Sequence, residues 1–175
     1  RKNINDFTSL NKEYMKTNNG WRQKPLKIQD EHIKPLLKAR YGKEASTVLG
    51  IIALSKKNQM DLQKSIHIDH IFPRNGLDYK TDSGKIEKSS DEWIELNSIS
   101  NLVFFQATEN ILKSNIEPIK FFENNMFSQI QTILKDDIFF GSRVDKSFLR
   151  YDNFKSFLEL RKKLIEKELK KIFNV

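Results

Sequence analysis

The sequence predicts an α+β chain, mostly helical, built around a small strand-loop-strand-helix unit. Three observations lead there. Apolar residues recur every three or four positions over most of the chain, only two short runs near 66–71 and 102–105 have strand character, and a helical pattern follows the second run directly.

The first helical pattern covers Asp30 to Tyr41, with Asp30 as a capping residue, Ile33, Leu36 and Leu37 at helical spacing, and Gly42 as a C-terminal stop. Pro35 inside it predicts a late start or a kink. From Glu44 to about Leu54 the apolar residues Val48, Leu49, Ile51, Ile52 and Leu54 lie nearly all round, as in a buried helix. Ile66 to Ile71 alternates apolar and polar residues, predicting a short half-buried strand that Pro73 ends, with Ile66 and Ile68 facing the core and His67 and Asp69 sharing the other face.

Arg74 to Ser90 is rich in Gly, Ser, Asp and Lys and reads as an exposed loop, with disorder expected near Asp82 to Lys88. Ser90 or Asp91 caps a short helix carrying Trp93, Ile94 and Leu96, with Trp93 assigned to the core. Leu102 to Phe105 is the second, buried strand, and Ala107 to Lys113 the helix after it. Beyond Pro118, Ile119, Phe121, Phe122, Phe127, Ile130, Ile133 and Leu134 continue at helical spacing until a break over Asp136 to Arg143. A final amphipathic helix from Asp152 to about Phe173 aligns Phe154, Phe157, Leu158, Leu164, Ile165, Leu169 and Ile172.

At 175 residues the chain has the length of one domain. The expected organisation is a helical segment over 1–60, the strand-bearing core over 61–118 and a second helical segment over 119–175. An opening at Arg1, followed by a polar stretch, suggests the C-terminal part of a longer protein. Without cysteine, neither a disulfide framework nor a thiolate zinc site can form, which fits a reducing compartment, and a cytoplasmic location is expected. No apolar run is long enough to suggest a membrane span or signal peptide. A net charge of +8 favours a polyanionic partner through counterion release, although solvated lysine-rich helix faces would produce the same composition.

Phosphodiester hydrolysis requires a base to deprotonate water and a cation to neutralise developing charge. Asp69 offers a hard anionic oxygen and Asn110 a neutral carbonyl oxygen, a set suited to Mg²⁺ or Mn²⁺ and poorly suited to zinc. An imidazole can take up and release a proton near neutral pH, which makes His70 the natural general base. Strand neighbours point to opposite faces, so the strand must end or twist at Asp69 and His70 for both to serve one site. Lys113 shares a helix face with Asn110 and is expected to reach a phosphate.

Ile68-Asp69-His70-Ile71-Phe72-Pro73, then Ser98-Ile99-Ser100-Asn101-Leu102-Val103, then Glu109-Asn110-Ile111-Leu112-Lys113-Ser114 together resemble the signature of HNH endonucleases, also called His-Me finger or ββα-metal nucleases. The likeness extends over roughly Ile66 to Asn115 and is greatest to the HNH domain of RNA-guided CRISPR effectors. It implies a ββα-metal core, with Asp69 and Asn110 as metal ligands, His70 as the catalytic base and Asn101 as a catalytic-site residue that orders the loop between the strands. Arg74 and Lys113 are auxiliary nucleic-acid contacts under this reading, and His67 is a further candidate, though a surface or hydrogen-bonded role suits it better. The implied cofactor is Mg²⁺, with Mn²⁺ as an alternative and no zinc, and the implied partner is nucleic acid, foremost double-stranded DNA.

A fainter similarity, in the phrase His67 to Pro73 and the flanking helices, is to C-terminal HNH regions of GmrSD-like restriction proteins that carry an N-terminal ParB-like domain. That likeness implies a role in restriction or phage defence and a ParB-like domain elsewhere in the protein. The sequence departs from common HNH patterns by lacking the cysteine pairs of zinc-stapled members and by its long inter-strand loop. An inactive nucleic-acid-binding or interaction module that retains the fold is the alternative function, and RNA remains open as a substrate.

Overall fold

The computed structural model describes residues 28–56, 66–77, 90–124 and 137–175. Over these residues the chain is mostly helical, with a two-stranded antiparallel sheet. Asp82 to Lys88, Phe127, Ile130, Ile133 and Leu134, on which several sequence expectations fall, lie outside the described residues. No helix among the described residues is long and apolar enough to cross a membrane.

Helix α1 (Asp30–Leu36) is capped by Gln29, whose backbone N–H donates to His32 Nδ1 at 2.9 Å, so Asp30 is already inside the helix. Pro35 falls in the last turn and the helix ends one residue later, with neither a late start nor continuation to Tyr41. Gly42, expected as a stop, instead starts helix α2 (Lys43–Ser55): its φ of 124° is a backbone state that side chains disfavour. Helix α2 is one-sided rather than buried all round. Ala45, Val48, Leu49 and Ile52 face inward, while Leu54 is 58% exposed.

Strands β1 (Ile66–His70) and β2 (Leu102–Gln106) pair with Asp69 opposite Val103 and His70 opposite Leu102. Side-chain alternation places His67, Asp69, Val103 and Phe105 on one face and Ile68, His70, Leu102 and Phe104 on the other. Val103 and Phe105 belong to one apolar cluster, which includes Phe72, Phe121 and Phe157. Leu102, Ile68 and Phe104 belong to a second, with Ile33, Val48 and Ile165. Both faces of the small sheet therefore meet a core, which explains why β2 reads as an unbroken apolar run.

Between the strands lie a 3-10 turn (Arg74–Gly76), helix α3 (Asp91–Leu96) and a second 3-10 turn (Ile99–Asn101). Ser90 caps α3 by accepting from the Trp93 N–H at 3.2 Å. Trp93 is only half-buried, with the Arg40 guanidinium 6.0 Å from its ring, rather than a core residue. After β2, helix α4 (Ala107–Lys113) packs back against both strands, and α5 (Pro118–Glu123) begins with proline at its first turn. Residues 137–139 are helical, so the expected break starts later, at Phe140 and Gly141, where φ is 52° and 72°.

Helix α6 (Phe154–Phe173) joins the two clusters, burying Phe154, Phe157 and Leu158 in the first and Ile165 and Leu169 in the second. Arg161 lies between them, fully buried. Its Nε donates to the carbonyl of Ile138 at 3.1 Å, and Nη1 lies within donating distance of the carbonyls of Ile99, Ser100 and Leu102 at 3.1, 3.0 and 2.6 Å. The helix is thus tied to the turn that launches β2. Burial lowers the pKa of this guanidinium and the charge of Asp137 opposes that shift; the carbonyls take up Nε and Nη1, while Nη2 is buried without a hydrogen-bond partner.

Candidate active site

The ladder runs through both Asp69 and His70, so their side chains leave it on opposite faces, yet they come within 3.8 Å of each other at its end. His70 is the last residue of β1, and Ile71 and Phe72 turn away into the core, held by residue 101. The Ile71 N–H donates to the Asn101 carbonyl at 2.7 Å, the Phe72 N–H to Asn101 Oδ1 at 2.9 Å, and Asn101 Nδ2 to the Phe72 carbonyl at 3.2 Å. A further bond from Nδ2 to the Leu96 carbonyl, at 2.9 Å, ties the same amide to α3. Asn101 is fully buried and imitates a strand partner for Phe72. It therefore shapes the exit from β1 through the backbone, its side-chain bonds going to Phe72 and Leu96.

Asp69 and His70 are both partly buried at that exit, with Asp69 Oδ1 3.8 Å from His70 Nδ1. Oδ2 of Asp69 meets the ammonium of Lys113 at 3.1 Å. Lys113 was expected to reach outward to a phosphate. Instead it is turned inward, 3% exposed, with Nζ 5.3 Å from the Phe105 ring centroid. Burial pushes the Asp69 carboxyl up, but the adjoining His70 and the Lys113 ammonium outweigh it and hold the group below the ordinary carboxylate value. Burial pulls the Lys113 ammonium down, and Asp69 partly restores it.

Asn110 lies half-buried on α4, one turn before Lys113, and the adjoining Ile111 and Leu112 are 76% and 44% exposed. His67 is exposed on β1, on the Asp69 face, and Arg74 is exposed in the turn after Pro73. Sequence reasoning missed two residues of the His70 environment, Tyr41 and Asn97. Residues 39–41 run beside 97–99, with the Ile99 N–H donating to the Ala39 carbonyl and the Tyr41 N–H to the Asn97 carbonyl, each at 2.9 Å. This pairing brings both side chains to the imidazole. The Tyr41 ring stacks on it with centroids 5.4 Å apart and planes 7° apart, and Asn97 Oδ1 sits 3.3 Å from His70 Nε2. No periodicity signals Tyr41, and the one signal for Asn97 is its place as an amide ending α3 four residues before Asn101.

Among the described residues, no group of three or more His, Cys, Asp and Glu side chains forms a metal cage. The donor chemistry nonetheless fits a hard cation, because Asp69 is ionised at neutral pH and Asn110 lies on the helix that packs against β1. Comparison with models of known protein families finds no match along the chain, and comparison with curated proteins finds no relative.

Proposed function

We propose that the chain is a metal-dependent HNH endonuclease that hydrolyses phosphodiester bonds, foremost in DNA. The observation that carries this reading is the Asp69-His70 pair at the end of β1, with β2 and the Asn110-bearing helix packed behind it. Strand, loop, strand and helix follow in the order that the HNH resemblance requires.

Asp69 and Asn110 would hold Mg²⁺ or Mn²⁺, which supplies charge neutralisation at the scissile phosphate and its leaving oxygen. His70 accepts the proton of the attacking water. Asn101 keeps the strand exit in shape, and Tyr41 covers one face of the imidazole. Lys113 keeps Asp69 ionised and oriented. Exposed Arg74 and the surplus of basic side chains favour the approach of a polyanion. A restriction or phage-defence setting, a cytoplasmic location and a ParB-like companion domain belong to the same proposal.

The test is incubation of the chain with supercoiled plasmid, modified phage DNA and RNA, each with EDTA, Mg²⁺ or Mn²⁺. Cleavage of DNA that depends on the metal is expected. Retarded migration of intact DNA without cleavage under any condition would favour the inactive binding module instead.

A further inference from the structure

The placement of Asn97 specifies which nitrogen of His70 does the work, an inference that rests on the nuclease reading for its catalytic meaning but not for its geometry. Asn97 is nearly buried at the end of α3, and its Nδ2 donates to the Trp93 carbonyl at 2.8 Å. A carbonyl accepts only, so this bond fixes the amide with its nitrogen toward Trp93 and its oxygen toward His70. Oδ1 in turn can only accept. The ring nitrogen facing it at 3.3 Å, Nε2, must therefore carry hydrogen.

A neutral imidazole has one N–H, so Nδ1 is left with its lone pair. That nitrogen faces Asp69 Oδ1 across 3.8 Å, too far for a direct hydrogen bond. Asn97 is thus within hydrogen-bond reach of the ring, while Asp69 lies beyond it on the other side. Tyr41 resists rotation of the ring away from this choice: it stacks on the imidazole, its backbone N–H is bonded to the Asn97 carbonyl at 2.9 Å, and its hydroxyl donates to the Ile68 carbonyl at 3.4 Å.

We propose that Asn97 is a positioning residue that holds His70 as the Nε2–H tautomer, making Nδ1, on the Asp69 side, the atom that accepts the proton of water. Removing the amide oxygen lets the ring proton pass to Nδ1, where it faces the Asp69 carboxylate and blocks the base.

The test is the ring nitrogen-15 spectrum of His70 in the full chain without metal or substrate, at alkaline pH where imidazoles are neutral. Parent protein should show a protonated Nε2 and a bare Nδ1. Asn97→Asp, which retains an acceptor oxygen, should keep that pattern, and Asn97→Ala should shift the proton toward Nδ1. In the plasmid assay Asn97→Ala should lose roughly 10-fold in kcat with little change in KM, as for other groups that orient a first-line residue. A parent spectrum with the proton on Nδ1 would overturn the proposal, as would an Asn97→Ala spectrum identical to the parent's. Should Asn97→Ala not fold, the parent and Asn97→Asp spectra decide, because a proton on Nδ1 in either contradicts the assignment. Absence of cleavage by the parent would count against the nuclease reading and leave the tautomer result standing.

Discussion

Nζ of Lys113 lies 3.1 Å from Oδ2 of Asp69, an ion pair that joins the helix after β2 to the end of β1. The lysine is almost wholly buried, whereas the carboxylate is 26% exposed. Lys113→Met should strand Asp69 without its cation. Water reaching Asp69 moderates the loss, so a destabilisation of about 2 kcal/mol at neutral pH is expected, below the usual range for broken buried pairs. Urea unfolding of parent and variant measures it.

The same pair predicts a pH dependence. Asp69 is held below its ordinary value in the folded state, so the unfolded chain binds more protons as acid is added. Its contribution is fully present above the unfolded value, about 3.9, and is lost as pH falls through the lower folded value. The stability advantage of the parent over Asp69→Asn should therefore be constant from pH 7 to about 5 and shrink below about 4. Urea midpoints across that range check the sign.

Gly76 sits where a side chain has no room, because an ideal Cβ there would lie 1.8 Å from Cζ of Tyr151. The Tyr151 ring is packed edge-on against Phe72, with centroids 5.8 Å apart, in the cluster beneath the strand exit. Gly76→Ala should cost about 2 kcal/mol through this overpacking. A Gly76→Ala, Tyr151→Ala double variant should show less than the sum of the two losses in thermal unfolding.

Arg161 should prove the most sensitive position on α6. Arg161→Leu leaves the carbonyls of Ile138, Ile99, Ser100 and Leu102 without the donor they share, and a loss of about 3 kcal/mol is expected. Arg161→Lys keeps the charge but not the fork, and should fall between the two in chemical denaturation.

These residues also mark where the sequence could be read and where it could not. The β2 strand was legible because an uninterrupted Leu102 to Phe105 run reports burial directly, whereas α4 was legible in its bounds but not in its facing, since Ile111 and Leu112 are exposed and Lys113 is buried. Ser90 was legible as a cap because its hydroxyl acts locally. Arg161 falls on the apolar stripe of α6, three residues after Leu158 and four before Ile165, so its burial was available from helical spacing but hidden by its charge. Gly42 misled because a glycine beside a helix pattern serves equally at an end or a beginning. Tyr41 and Asn97 reach His70 only through pairing of segments far apart in sequence, and the inward turn of Lys113 depends on a partner 44 positions away. Local patterns carry no information about such meetings.

The most direct measurement is the rate at which the parent chain and His70→Ala nick supercoiled plasmid under saturating Mg²⁺ or Mn²⁺. An imidazole that takes the proton from water at the Asp69 end of β1 predicts a loss of about 10²–10⁴-fold on its removal, with the variant's fold and its metal uptake retained. Nicking by His70→Ala at the parent's rate would contradict that assignment and leave the strand end without its central chemical role.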